Sequence, residues 1–251
     1  MFDPSTRTVV PTAVISGIRD QVQKACVTPC RDGLSRSVDC ACYAEYAARY
    51  WLRLGAFPPG ITDHTDLKVQ FSSPVEAEAV AKFIANPELA RIRGWSSVIV
   101  GPPRSGRTSL GTWLAKRAMT WEIVYKYTNT TRAVYFTARD YAFWLRKVDD
   151  FKRTQAELEY YEGALLSSVV VWDDIDPAFA NETKFVADIK KRLSSGLPTH
   201  LVFSQDPTLY TGSLLAQLIG LTTRSGEIQT TASLVMPITL VGEIMTQTGW
   251  V

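Results

Sequence analysis

Cysteine is missing from Tyr43 to Val251, histidine occurs only at His64 and His200, and no apolar run approaches the ~18 residues that a membrane span needs. The last point excludes a membrane-spanning helix as an expectation, and the two histidines, neither at ligand-like spacing, read as structural residues. Charge of one sign is also missing: 27 basic residues face 25 acidic ones, giving a net charge of +2 and a pI near 8.3. The totals therefore carry no nucleic-acid footprint, and any DNA contact has to come from a local patch. The opening stretch MFDPSTRTVVPTAV has no signal-peptide h-region, so a cytoplasmic location is expected. Internal repeats and low-complexity tracts are absent as well. What is there is a globular composition, 46% hydrophobic and 21% charged over 251 residues, enough for one ordinary domain and a small extra one.

All four cysteines lie in CVTPCRDGLSRSVDCACY, with Cys26 and Cys30 as one pair and Cys40 and Cys42 as another, separated by a Gly-containing turn. In extended chain, residues two apart share a face, which would let Cys40 and Cys42 grip one ion. Four soft thiolates suit tetrahedral zinc. Two disulfides, disfavoured in a reducing cytosol, or four small core residues are the other readings of the same cluster.

The periodicity predicts a helix over residues 41–54, where Tyr43, Ala47, Tyr50, Trp51 and Leu54 recur at three- and four-residue steps. FPPG at Phe57–Gly60 breaks it, and the expected boundary falls there: residues 1–58 as an N-terminal partner-binding, zinc-binding domain and 59–251 as the main domain. A second helix begins at SPVE, with Ser73 as cap, Pro74 in the first turn and Glu76 completing a capping box, and runs to about Asn86. Beyond it, apolar runs (SSVIV, RAVYFT, SSVVVW, THLVFS) alternate with helical patterns (TSLGTWLAKRAMTW, DYAFWLRKVDDF, NETKFVADIKKRLSSG). Strands that are apolar throughout and alternate with helices predict an α/β fold with a parallel sheet covered on both faces.

Directly after SSVIV stands GPPRSGRTS, which fits the phosphate-loop pattern GxxxxGK[ST] at every position but one: Gly101, Pro102, Pro103, Arg104, Ser105, Gly106, then Arg107 in place of lysine, then Thr108 and Ser109. Loop N–H groups and the N-terminus of the following helix would bind the phosphates of ATP, and the Thr108 hydroxyl would reach Mg2+. Magnesium also needs an acid at the end of a neighbouring buried strand. VVVWDDID supplies it 72 residues after Gly101: Asp173 would hold the ion through water and Asp174 would polarise the attacking water. Ser204 and Gln205, the polar end of the apolar strand in PTHLVFSQDP, could contact the γ-phosphate or its water, and Arg224 in the loop LTTRSGE could project into a neighbouring subunit's site.

The order of these motifs resembles the AAA+ ATPases, and within them the bacterial and phage helicase loaders of the DnaC and DnaI type with their IstB-type transposition relatives. The resemblance runs from about Cys26 to Gly242. It implies a P-loop AAA+ core behind a small cysteine-cluster domain, with Gly101 to Thr108 as the phosphate loop, Asp173 as the metal-associated residue and Asp174 as the water activator. Gln205 would be the first sensor and Arg224 the inter-subunit finger of a ring or spiral. It also implies single-stranded DNA contacts on the helical element RDYAFWLRKVDDFKRTQ, whose basic residues are Arg146, Lys147, Lys152 and Arg153; a solvated helix face is the alternative for these four.

The function implied is ATP-dependent loading of a replicative helicase onto single-stranded DNA in the cytoplasm of a bacterial host cell. Other expectations from the same motifs are an IstB-like helper coating duplex DNA, or an ATP-binding adaptor without hydrolysis. Four positions depart from the family: Arg104 replaces a glycine, Arg107 the lysine, Asp174 a glutamate and Gln205 an asparagine, and no second sensor arginine stands out in LVGEIMTQTGWV. Arginine is planar and forked where lysine is a point charge. Shifting a water-positioning group by ~1 Å can cost ~100-fold in rate, so turnover is put in doubt before binding is.

Overall fold

A computed structural model describes residues 48–53, 55–62, 67–86, 94–126, 133–149, 163, 165–204, 210, 212–219, 221–224, 227–230 and 235–241. Its elements are α1 (Pro74–Ala85), β1 (Ser96–Val100), α2 (Arg107–Lys126), β2 (Ala133–Thr137), α3 (Ala138–Asp149), β3 (Val169–Ile175), α4 (Thr183–Ser194), β4 (Thr199–Phe203), α5 (Leu214–Ile219), β5 (Leu221–Arg224), β6 (Glu227–Thr230) and β7 (Val235–Thr239). Five strands form one parallel sheet in the order β2-β3-β4-β1-β7. Among the described residues no helix is long and apolar enough to cross a membrane.

Alternation along each strand divides the core in two. Val98, Val134, Phe136, Val170, Trp172, Leu201 and Phe203 meet Tyr141 and Trp144 of α3, Phe185 and Ile189 of α4, and Leu215 and Ile219 of α5. Ile99, Val169, Val171, Val202 and Ile238 meet Leu110, Leu114 and Met119 of α2 and Val80 and Phe83 of α1. Burial on both faces is why β1 to β4 are continuous apolar words in the sequence.

Among the described residues the strands and helices from α1 to β4 appear in the expected order, with four differences from expectation. The carboxylate strand is not hydrogen-bonded to the loop strand, because β4 lies between β1 and β3. Glu76 does not simply close a capping box: Ser73 accepts from its N–H at 3.3 Å, while its carboxylate accepts from Ser72 Oγ at 2.7 Å and Thr239 N at 3.1 Å, tying α1 to β7. Within LTTRSGE, Leu221–Arg224 is a strand rather than a plain loop, paired antiparallel with Glu227–Thr230 so that Arg224 stands opposite Glu227. Strand β7 was not expected either, since Pro237 reads against a strand; at the sheet edge a missing N–H is tolerated.

Helical residues 48–53 lie before the expected boundary at 58, and Ala48, Leu52 and Phe57 are buried in the same core as Ile99 and Val171. On the opposite face Arg192 is 1% exposed and donates to the carbonyls of Leu165, Ser167 and Pro198 and to Thr199 Oγ1 at 2.7 to 3.1 Å. This single guanidinium fastens the end of α4 to the starts of β3 and β4.

Candidate functional site

The chain leaves β1 at Val100 and turns through Gly101, whose φ is 156°. A Cβ there would sit 2.7 Å from Ser105 Oγ and 2.8 Å from the Leu240 carbonyl, so only glycine allows the loop to fold back this closely. Ser105 donates its N–H to Pro102 O at 3.2 Å, and its buried hydroxyl has no hydrogen-bond partner among the described residues. Pro102, Pro103 and Arg104 are exposed at the tip, while Gly106, Arg107, Thr108 and Ser109 are half-buried where α2 starts. Leu110 N bonds Gly106 O at 2.8 Å, and the preceding N–H groups of the first turn are the ones a helix leaves for an anion. Arg104 has φ 62°, the left-handed region that costs an L-residue roughly 1–2 kcal/mol, at the position where the resembling family carries glycine.

Across from the loop, Thr108 Oγ1 in the first turn of α2 donates to Asp173 Oδ2 at 2.6 Å, so the two residues expected to share Mg2+ face each other although β1, which leads into the loop, and β3 are not neighbours. Asp173 is 6% exposed; its Oδ1 accepts from Asp174 N at 2.7 Å and its Oδ2 also accepts from Tyr135 Oη at 2.5 Å. Burial first, then the charge of Asp173, pushes the Tyr135 phenol far above its ordinary pKa, which keeps the hydroxyl protonated as a donor. Strand β3 shifts register between Trp172 and Ile175, and Asp174 there is exposed with φ 57°. Aspartate enters the left-handed region more readily than longer side chains, a physical reason for the shorter acid at this bulge.

Arg107 reaches across the mouth of the site and donates through Nη1 to the Phe203 carbonyl at the end of β4. Ser204, next along, donates through Oγ to Ile175 O at 3.0 Å, and Tyr210 Oη donates to the same carbonyl at 2.6 Å. The Ser204 hydroxyl thus braces the end of β3 against the end of β4. The structure therefore gathers the loop, Arg107, Thr108, Asp173 and Asp174 at the C-terminal ends of β1, β3 and β4, where open parallel sheets bind ligands. Gln205, Lys152, Arg153 and the four cysteines Cys26, Cys30, Cys40 and Cys42 lie outside the described residues. Arg146 and Lys147 fall in the last turn of α3 and Arg224 ends β5. Among the described residues no cluster of three or more His, Cys, Asp and Glu could hold a metal.

The donors present fit Mg-ATP. A hydroxyl and a carboxylate 2.6 Å apart are the hard oxygen groups that Mg2+ prefers, and the orphaned Ser105 hydroxyl and the Gly101 cradle fit phosphate oxygens. When bound, the ion would supply positive charge to the phosphate oxygens. Thr108 and Asp173 would orient it, Arg107 would add a forked donor beside the end of β4, and Asp174 is the exposed carboxylate directly after the buried Asp173. Sequence reasoning missed Tyr135: only the pairing of Thr137 with Asp173 and of Tyr135 with Val171 puts its hydroxyl within reach, and a lone tyrosine in an apolar strand carries no such signal.

Compared by sequence, the chain matches no protein-family model and no curated protein. Compared by structure, it is similar to a candidate primosome component from Streptococcus pyogenes serotype M3, with TM-score 0.50 and 16% identity over 75% of this chain and 91% of that one. DnaI also matches, with TM-score 0.44 and 16% identity over 74% of this chain and 93% of that one. Domain III of the Thermotoga maritima replication initiation protein DnaA matches with TM-score 0.42 and 12% identity, covering 67% of this chain and 64% of the other, so the chain spans less than two thirds of that domain. At such identities the likeness to the primosome component establishes a shared fold, the parallel five-stranded sheet with its helices.

Proposed function

We propose that this chain is an AAA+ ATPase of DNA replication that loads a replicative helicase onto single-stranded DNA. The observation that carries its nucleotide half is the 2.6 Å bond between Thr108 of the loop and Asp173 of β3, with the phosphate cradle beside it. The loading half is supported by the order of motifs along the sequence and by a fold in common with a candidate primosome component. In this reading residues 1–58, with zinc at Cys26, Cys30, Cys40 and Cys42, engage the helicase. Arg146, Lys147, Lys152 and Arg153 contact DNA, Gln205 senses the γ-phosphate, and Arg224 completes a neighbouring subunit's site in a ring or spiral. Chemistry is in-line attack of water on the γ-phosphate, with Asp174 orienting the water.

One contact favours the adaptor as second reading: Arg107 is already engaged by Phe203 O, so the cation of the loop is held at β4 rather than free to follow charge during transfer. The experiment is Mg-dependent ATP binding with phosphate release in the same samples, with and without single-stranded or duplex DNA. Binding with release stimulated by single strands supports the loader. Binding without release selects the adaptor, stimulation by duplex selects the transposition helper, and no binding overturns the nucleotide reading.

A further inference from the structure

Asp173 is held by more than the loop. Its Oδ2 takes two hydroxyl donors, Thr108 at 2.6 Å and Tyr135 at 2.5 Å, and its Oδ1 takes the Asp174 N–H. Thr108 belongs to the phosphate loop, and its own position must answer to the nucleotide. Tyr135 belongs to the sheet. Its backbone N–H donates to Gly55 O at 2.8 Å, and its ring packs on Phe57 with centroids 5.5 Å apart. Gly55 approaches so closely that a Cβ would lie 1.9 Å from Ala133 O, and Phe57, 3% exposed, is pinned by its N–H on Leu52 O at 3.1 Å. The phenol is thus fixed from behind by a strap of chain that enters from the N-terminal side.

We propose that Tyr135 is a positioning residue for the magnesium-binding carboxylate, holding Asp173 in the rotamer that faces Thr108, and that the Gly55–Phe57 strap sets where Tyr135 stands. This rests on the nucleotide reading given above and goes beyond it by naming a residue that touches neither phosphate nor reacting water. Carboxylates that ligate metals depend on outer partners of this kind, whose loss typically weakens metal affinity on the order of 10- to 100-fold. Without the phenol, Asp173 keeps its charge and its Thr108 and Asp174 contacts but loses the side-chain donor that, among the described residues, comes from the sheet rather than the loop.

The test is the Mg2+ midpoint for binding a fluorescent ATP analogue, measured alongside binding in excess chelator and thermal melting. Tyr135→Phe keeps the ring against Phe57 and removes only the hydroxyl. It should raise the midpoint on the order of tenfold while leaving chelator-state binding and the melting temperature close to wild type. Phe57→Leu, a change that reaches Asp173 only through the Tyr135 ring, should shift the midpoint in the same direction by a smaller factor, and it serves as the readout if Tyr135→Phe melts without cooperativity. A wild-type midpoint in a folded Tyr135→Phe protein, or in Phe57→Leu where that variant is the readout, overturns the inference while the nucleotide reading stands. Failure of the wild-type protein to take up nucleotide overturns the nucleotide reading, and this inference with it.

Discussion

Two arginines stand three residues apart in one loop, and their surroundings assign them different work. Arg104 is exposed at a tip held at φ 62°, whereas Arg107 is half-buried in the first turn of α2 with its guanidinium on Phe203 O. Only the second lies between the phosphate cradle and the end of β4. Charge-assisted hydrogen bonds contribute ~1.5–3 kcal/mol, so Arg107→Ala should weaken ATP binding by roughly 10- to 100-fold. Arg104→Ala removes an exposed charge and should change binding by about twofold or less. Titration calorimetry on both variants checks the order, and a reversed ranking would sink the loop assignment. The meeting of the loop glycines and Thr108 with Asp173 was legible in the sequence because the motif fixes residue types and spacing between a strand and a helix. Tyr135 was not, because its contact with Asp173 depends on the register between β2 and β3 and on a strap that approaches from far away in sequence.

Strand β4 shows how an element can be structural and pH-sensitive at once. His200 is its second residue, fully buried, with Nδ1 2.8 Å from Ser97 Oγ on β1 and its ring edge-on to Phe83 of α1. Desolvation, and secondarily the nearby Arg192 cation, lower its pKa from 6.5 to about 3. The folded state therefore refuses a proton that the unfolded chain accepts. Stability from this group is fully present above pH 6.5 and is lost as pH falls toward 3, at roughly 1.4 kcal/mol per pH unit. Denaturant unfolding at pH 7 and 5.5 should show that decline, and His200→Asn, less stable at pH 7, should show a shallower one; equal slopes in both proteins would refute it. The apolar runs made β1 to β4 readable because each is covered on both faces. Strand β7 lies at an edge and carries Pro237, and the β5–β6 hairpin is short and polar, so neither leaves an apolar run of that kind.

At the scale of the whole molecule, the proposed nucleotide site is a joint between pieces far apart in sequence: the loop after β1, the bulge in β3, the end of β4, and β2 with its strap. A ligand that touches several of these binds the folded state and has nothing comparable to hold in the unfolded chain. Saturation at 100 times the dissociation constant then stabilises the fold by ~2.7 kcal/mol. For a chain of this size each kcal/mol moves the midpoint by about 2–4 °C, so Mg-ATP should raise the melting temperature by roughly 5–10 °C. Chelating the magnesium should reduce that rise, because in the proposed site the ion would join Thr108 of the loop to Asp173 of β3. Arg107→Ala should reduce it too, at equal nucleotide concentration, while Arg104→Ala should leave it nearly whole. A rise that survives without phosphate release would mean that the joint closes on ATP and stays closed, the behaviour of an adaptor. A rise followed by return to the nucleotide-free midpoint as ATP is consumed, faster with single-stranded DNA, would mean that the joint opens again through turnover, as a loader requires. No rise at any concentration would leave a phosphate loop in shape alone.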